Sequence, residues 1–524
     1  MKKLSARKKR WIERTVKNDR SYKWVLYNRF YAYLIAVLAQ LIGYGLLLWL
    51  FAYNSAYASI VQFFVSLLSF IFVLKIINDE EKPSTKLSWI IVILILPVFG
   101  VPTYFISGRG RPTKKMAKKI NASMQENAEK ERAFYGELPF VENGSAIKYL
   151  QTMANYPKLN GDIEYYPTGK NAFQELLKAV ESAEKYIFLE YFIIAHGKMW
   201  ESILKVLLQK AVLGVKIYII YDDFGCIKTL PPDYERYLES LHENIKCLSF
   251  NTVVPFLAVR MNNRDHRKIT VVDGKIAFTG GYNLADEYIG EKTRFGNWKD
   301  SGLKITGDAV YPFVRIFCNT WNAFRKDKIE ITSFLPTLTG KGSAQFIQPY
   351  DDSPLDKLSV GETVYLDIIN KAEKYIYIFT PYLILDDFMR SALCLASLRG
   401  VDVRIVTPGI PDKKAIYRLT RAHYGILLKA GVRIYEYTPG FIHSKSMISD
   451  DKHAVVGTIN LDYRSLYHHF ENAVYFQDDK ALLELKKDCE TTFAVSKERT
   501  KDNVKRNMLG RFIDSILRIF ETLM

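Results

Sequence analysis

The chain has 524 residues, enough for two to four domains, and 48% of them are apolar, enough for membrane segments as well as large cores. A net charge of +17 points to an anionic partner, nucleic acid or anionic lipid. The five cysteines are odd in number and form no CxxC pair, which argues against a disulfide framework or a zinc site.

Residues 1–29 form a basic run, with Lys2, Lys3, Arg7, Lys8, Lys9 and Arg10 at its start. Nucleic-acid tails look similar, but the uncharged stretch Tyr31 to Tyr53 that follows is long enough to span a bilayer. It is too long and starts too late for a cleaved signal peptide. Ala56 to Leu74 is a second uncharged stretch, and Asn54-Ser55 between them allows a tight helical hairpin. A third, Leu87 to Ile106, is interrupted by Pro97, Gly100 and Pro102 and reads as a kinked or re-entrant segment. Basic flanks lie before the first segment and after the third, and both favour the cytoplasm. Residues 30–107 are therefore expected to be a multi-pass region of the cell membrane with two crossings and one non-spanning segment, leaving the remainder cytoplasmic. Residues 108–148 read as a charged helical linker with a solvated face.

The soluble part carries an internal repeat. Ala183-Glu184-Lys185-Tyr186-Ile187 recurs as Ala372-Glu373-Lys374-Tyr375-Ile376, and Leu213-Gly214-Val215 recurs as Arg399-Gly400-Val401. Each half, 149–345 and 346–500, alternates helix patterns with β-rich runs: helix near Ala172 to Ser182, strand Tyr186 to Ile194, helix Met199 to Val212, strand Val215 to Tyr221. The alternation predicts an α/β sandwich with a mostly parallel sheet. Residues 501–524 form a basic amphipathic helix, with Leu509, Phe512, Ile513, Ile516 and Leu517 at helical spacing. It suits a membrane interface or a docking site on the globular body equally.

The third element of the repeat carries the chemistry. His266, Lys268, Asp273, Gly280 and Asn283 recur as His443, Lys445, Asp450, Gly457 and Asn460 with identical spacing. Ile269 to Val272, the Asp-Gly turn and Ile276 to Phe278 predict a β-hairpin, as do Ser446 to Ile448 and Ala454 to Val456. Residues two apart on a strand share a face, so each His and Lys can address one ligand. Two lysines and two asparagines make a donor-rich cage for an anion, and two histidines supply a nucleophile and a general acid. No cluster of metal-ligand type stands beside them in the sequence, so the lysines would neutralise transition-state charge and no cofactor or metal is expected. One such octet carries little weight; two, each with Gly and Asn in register, carry much more.

These residues resemble the phospholipase D superfamily and its doubled histidine–lysine–aspartate motif. Gly280 to Tyr288, Trp298-Lys299-Asp300 and Asn460-Leu461-Asp462-Tyr463-Arg464-Ser465 are similar, more narrowly, to the bacterial cardiolipin synthase family, and the likeness runs from about Ser84 to the C-terminus. The resemblance implies N-terminal transmembrane helices followed by two tandem phospholipase D-like halves, related by a pseudo-twofold axis that puts both motifs at one seam. It implies a catalytic set of His266, Lys268, Asp273, His443, Lys445 and Asp450, with His266 attacking phosphorus and His443 as acid and then base. Asp273 and Asp450 look structural within that set. Asn283 and Asn460 would bind phosphate. A carboxylate is expected behind each histidine, Asp300 in the first half and Glu471 in the second.

The implied reaction turns two phosphatidylglycerol molecules into cardiolipin and glycerol, with anionic phospholipid and membrane as partners and no nucleic acid. A lipid hydrolase releasing phosphatidic acid, a membrane-tethered phosphodiesterase and an inactive lipid-binding scaffold are the alternatives. His196, His242, His423 and His453 lack the motif spacing; His468 and His469 are near enough to Glu471 to line the site. Glu190-Tyr191 and Thr380-Pro381-Tyr382 end equivalent strands and are candidates for headgroup contact.

Overall fold

A computed structural model describes residues 55–107, 113–136, 146–252, 262–340, 342, 344–356, 359–477, 480–504 and 507–523, with single residues between 38 and 53. The basic segment 1–29 and most of the first apolar stretch lie outside the described residues.

Helix α1, Ser55–Asn78, contains the second apolar stretch. Its segment Ser59–Asn78 has a mean hydropathy of 2.5 and is 11% buried, and it is the one helix among the described residues long and apolar enough to cross a membrane. The expected multi-pass region thus has one candidate crossing among them. The third stretch is not a continuous span. It breaks into α2, Pro83–Ile95, and α3, Pro97–Ser107, because Pro97 lacks the N–H that would continue α2 and suits the first turn of a new helix. The two fold back on each other, burying Trp89 and Ile93 against Val101 and Tyr104. Gly100 permits the approach: a Cβ there would lie 2.6 Å from the Ile93 Cα. Lys82, just before α2, reaches Glu362 at 2.8 Å and Asp386 at 3.3 Å, and the Tyr463 hydroxyl donates to Ser84 at 2.9 Å. The apolar module is clamped to the second half of the body.

Helix α4, Lys114–Tyr135, is not the expected solvated linker. It buries Ile120, Ser123, Asn127 and Glu131 against α8, Tyr311–Phe324. Ser123 donates to the Asn319 carbonyl at 2.9 Å, Asn127 to the Asn319 side chain at 2.8 Å, and Tyr311 to Glu131 at 2.6 Å. This buried face is polar, so its pattern imitates exposure.

Among the described residues the body is one sheet of fifteen strands. The first half supplies β1 (Leu159–Tyr166), β2 (Tyr186–Tyr191), β3 (Lys216–Asp222), β4 (Ile245–Phe250), β5 (Lys268–Val272), β6 (Ile276–Gly280) and β8 (Gly302–Thr306). The second half supplies β9 (Ala344–Asp352), β10 (Tyr375–Phe379), β11 (Asp402–Pro408), β12 (Arg433–Tyr437), β14 (Ser446–Ser449), β15 (His453–Gly457), β16 (Glu471–Gln477) and β17 (Ser496–Arg499). The halves join where β1 pairs with β9, antiparallel. Outward from that seam the order is β1-β8-β6-β5-β2-β3-β4 on one side and β9-β16-β15-β14-β10-β11-β12-β17 on the other. The two sequences of strands correspond one to one, with β17 added, as a pseudo-twofold arrangement requires. Short strands β7, Asn297–Lys299, and β13, Gly440–Ile442, pair separately.

The sheet is mixed, which corrects the mostly parallel expectation. Only β2-β3-β4 and β10-β11-β12 are parallel. Parallel neighbours need a crossover, supplied for β2–β3 by α7, Lys198–Val212, and for β10–β11 by α10, Asp387–Leu398, whereas the motif hairpins force antiparallel pairing. Helices cover both faces. Ile187, Leu189 and Tyr191 of β2 join the core under α6, Gly169–Ser182, and α7, while Phe188 points to the other face and stacks on Phe317 of α8 at 4.2 Å.

Candidate active site

The motif strands run against the parallel strands: Lys268 lies opposite Tyr191 and Ser446 opposite Phe379. The start of each motif therefore sits at the C-terminal end of a parallel trio, where α/β sheets place ligands. Asp273 and Asp450 lie at the far end of their strands. Asp273, at φ 54° in the hairpin turn, accepts the backbone N–H groups of Glu184, Lys185 and Tyr186 at 2.7 to 2.8 Å. Asp450, at φ 56°, does the same for Glu373, Lys374 and Tyr375. These two members of the set hold the hairpins to the strand starts and do not face the histidines.

Each histidine is completed by the opposite half. The His266 backbone N–H donates to the Phe470 carbonyl at 2.8 Å, and that of His443 donates to the Lys299 carbonyl at 2.7 Å. The next residues are Glu471 and Asp300. His266 Nδ1 lies 2.8 Å from Glu471, and His443 Nδ1 lies 2.7 Å from Asp300. The expectation that each half carries its own carboxylate is thus corrected: the pairs cross the seam. Two short cross-half ladders impose this, β7 with β13 and the bridge of Asp265 with Phe470. Both carboxylates are wholly buried and the histidines are 7% and 8% exposed. Glu471 also accepts the hydroxyls of Thr458 and, at 2.7 Å, Ser465. Asp300 accepts the Ser301 N–H at 2.9 Å, and Gly281 leaves it room, since a Cβ there would lie 2.1 Å from its oxygen.

Burial first, and then the charges of both motif lysines, push both imidazoles well below the usual histidine range; His443 is a further cause for His266. The two motifs share one electrostatic neighbourhood. Lys268 is lowered to about 7 and Lys445 to about 8, chiefly by burial, with Glu471 and Asp300 opposing. Asp300 is raised to about 6 by burial, against the pull of Lys445. Each ammonium folds back to donate to the carbonyl of its own histidine, at 2.5 Å for Lys268. Two lysines crowded in a dry seam make it a poor place for further cations and a good one for an anion.

The asparagines differ. Asn283 accepts the Ile193 N–H at 3.0 Å and donates to the Tyr288 hydroxyl at 2.6 Å, so it braces the site wall. Asn460 is 5% exposed, and its carbonyl oxygen has no hydrogen-bond partner among the described residues. His469 lines the site, its ring 5.5 Å from His266, and burial lowers it to about 3. Glu190 is buried and paired with Arg267 at 3.1 Å. Tyr191 shares a buried hydrogen bond with Thr270. Tyr382 donates to Asp412 at 2.6 Å. His266, His469 and Glu471 offer ligand atoms within 4.8 Å of one another, the arrangement among the described residues nearest to a metal site. The 2.8 Å contact of His266 with Glu471 is a hydrogen bond, however, and occupies the imidazole nitrogen that faces the carboxylate.

Sequence reasoning gave no role to the aromatic walls. Phe192 stands edge-on to His266 at 4.9 Å, and Tyr288, Trp298 and Phe441 ring His443 at 5.6, 5.5 and 6.0 Å. Trp298, two residues before Asp300, was the available signal. Thr458 and Ser465, which hold Glu471, lie within the second motif's own run, where Ser465 closes the stretch quoted above.

A family model described as cardiolipin synthase, PLD-like domain, matches the chain twice, at residues 176–294 and 365–493. One described as phospholipase D-nuclease N-terminal matches residues 67–109. A Streptococcus mutans serotype c protein, named only as uncharacterized, is 41% identical over 84% of this chain and 96% of its own length. The cardiolipin synthase of Alkalihalophilus pseudofirmus is 34% identical over 80% of this chain and 85% of its own. Among solved structures, the phosphatidylserine synthase of Haemophilus influenzae Rd KW20 superposes with a TM-score of 0.56 at 13% identity, covering 73% of this chain and all of that one, a likeness of fold.

Proposed function

We propose that this chain, which belongs to the cardiolipin synthase family of the phospholipase D superfamily and is a phosphatidyltransferase, joins two phosphatidylglycerol molecules into cardiolipin and releases glycerol. The observation that carries the reading is the crossed pairing of His266 with Glu471 and His443 with Asp300, which makes both motifs parts of one site.

The steps are those that the superfamily resemblance implies, read onto this geometry. With Nδ1 of His266 donating to Glu471, its Nε2 lone pair is free to attack phosphorus. The N–P bond forms as the bond from phosphorus to the headgroup glycerol breaks, and His443 gives its Nε2 proton to the departing oxygen. His443 then takes a proton from the terminal hydroxyl of the second phosphatidylglycerol. That oxygen attacks phosphorus, the P–N bond breaks, and His266 is regenerated. Lys268, Lys445 and Asn460 hold the non-bridging oxygens in the role that the superfamily resemblance implies, whereas Asn283, which the resemblance would add to them, is engaged by Ile193 and Tyr288 and positions the wall beside them. A phosphodiester anion reverses the local balance of charge, so the ligand that needs protonated His443 and charged lysines also favours them. Near-complete burial of both imidazoles supports transfer over hydrolysis, since water must be kept from the phosphatidyl-histidine. In this reading the enzyme is a multi-pass protein of the cell membrane with its catalytic part cytoplasmic; α1 supports one crossing, and the uncharged stretch Tyr31 to Tyr53 and the basic flanks of the apolar region support the rest.

The test is purified full-length protein incubated with labelled phosphatidylglycerol in detergent, with and without excess EDTA. Cardiolipin and glycerol in equal amounts, insensitive to chelation, are expected. Phosphatidic acid as the main product would make the chain a hydrolase. Complete loss in EDTA, restored by one particular metal, would refute the lysine clamp.

A further inference from the structure

The C-terminal helix α14, Met508–Ile519, docks with its polar side inward. Asp514 is the buried residue of the helix and meets Arg418 of α11, Lys414–Ala430, at 2.6 Å. Arg418 also donates to the Gly510 carbonyl at 2.9 Å. Leu517 alone of the helix packs on the cluster of Ile384, Leu419 and Tyr463. The apolar side faces outward: Met508 is 80% exposed, Leu509 65% and Phe512 63%, with Ile513, Ile516 and Phe520 also exposed. A helix that served only the body would bury these residues and leave Asp514 in water.

Its neighbours indicate what covers that face. The turn after α14 places Thr522 against Ser88 of α2 and Glu521 against His423 of α11 at 3.2 Å. α2 follows α1 directly, and Lys82 and Ser84 fix its start to the second half. The outward apolar face of α14 is thus held to the same clamp as the apolar helix α1, whose side chains are also turned outward. Leu87, 59% exposed on α2, continues the apolar surface. Arg511 and Arg518 are exposed on α14, a cation pattern matched to anionic headgroups.

We infer that α14 is a second membrane contact, which lies in the headgroup–acyl boundary of an anionic bilayer with Leu509, Phe512 and Ile516 immersed. It is braced against the catalytic body through Arg418. α11 follows Lys413, whose ammonium reaches the Tyr382 hydroxyl at 3.3 Å beside the site, so the helix also sets the height of the site mouth above the lipid.

The test is a Phe512→Cys variant in a Cys394→Ser background, labelled with an environment-sensitive fluorophore and reconstituted into phosphatidylglycerol vesicles. The other four cysteines are buried. A blue-shifted emission quenched by lipids carrying a shallow acyl-chain spin label is expected, with a probe at exposed Lys205 unaffected. Emission at position 512 that stays water-like, or that shifts only with protein density and not with spin-labelled lipid, overturns the proposal; the second result would assign the face to another copy of the chain. As a second measurement, the triple variant Leu509→Ser, Phe512→Ser, Ile516→Ser should lose several-fold turnover on vesicles while keeping turnover in detergent micelles. Equal activity on both would also overturn it.

Discussion

At the scale of single residues, the site depends on two histidine–carboxylate hydrogen bonds that neither half can make alone. Removing a carboxylate should leave the ring in place but unpin its tautomer, as in other histidine–carboxylate pairs. Asp300→Asn and Glu471→Gln are expected to lower kcat by about 10²–10⁴-fold, and His266→Ala or His443→Ala by at least about 10³-fold, with circular dichroism unchanged. A carboxamide variant within tenfold of the parent would show that the crossed pairs are structural only. The pH dependence has a definite sign. As pH falls through about 6, Asp300 takes up a proton and His443 loses its acceptor. As pH rises through about 7 to 8, Lys268 and then Lys445 lose their charge and with it their hold on phosphate. The pH profile of kcat/KM should therefore be a bell with its flanks near those values; a level profile from about pH 5 to about pH 9 would contradict the assignment.

At the scale of elements, the motif hairpins were legible because strand alternation, the Asp-Gly turn and the apolar runs all report the same local geometry. Their Asp residues contribute by anchoring. Three backbone donors converge on Asp273, so Asp273→Ala should cost about 2–3 kcal/mol of stability, while the folded fraction keeps kcat within a few-fold. A collapse of kcat without a shift in the urea midpoint would return Asp273 to the chemistry. Other features were not legible, each for a physical reason. β-branched runs mark strands but carry no direction, so the mixed sheet read as parallel. Ser123, Asn127 and Glu131 look solvated in sequence, and only the Asn319 and Tyr311 groups on α8 reveal that they are buried and satisfied. Pro97 announced a break without saying that the two pieces would fold together. The exchange of Asp300 and Glu471 between halves depends on the β7–β13 register across the seam, which no pattern within either half encodes.

At the scale of the whole molecule, two motifs build one site, and the stoichiometry of the intermediate should say so. Rapid quenching with phosphatidylglycerol labelled in its phosphatidyl group should trap at most one phosphatidyl group per chain, on His266. Two per chain, one on each motif histidine, would mean that the halves work independently. The continuous sheet makes that outcome structurally awkward: β1 and β9 bind the halves into a single body, and the strand order on either side is the same.

The exchange of carboxylates also bears on how the enzyme is made. During synthesis His266 leaves the ribosome about two hundred residues ahead of Glu471, after α1 has already emerged. On the proposed mechanism, a chain that has made His266 but not yet Glu471 holds an imidazole with no carboxylate to orient it. On that reading, competence waits for the second half, and a first half made alone would leave phospholipid untouched.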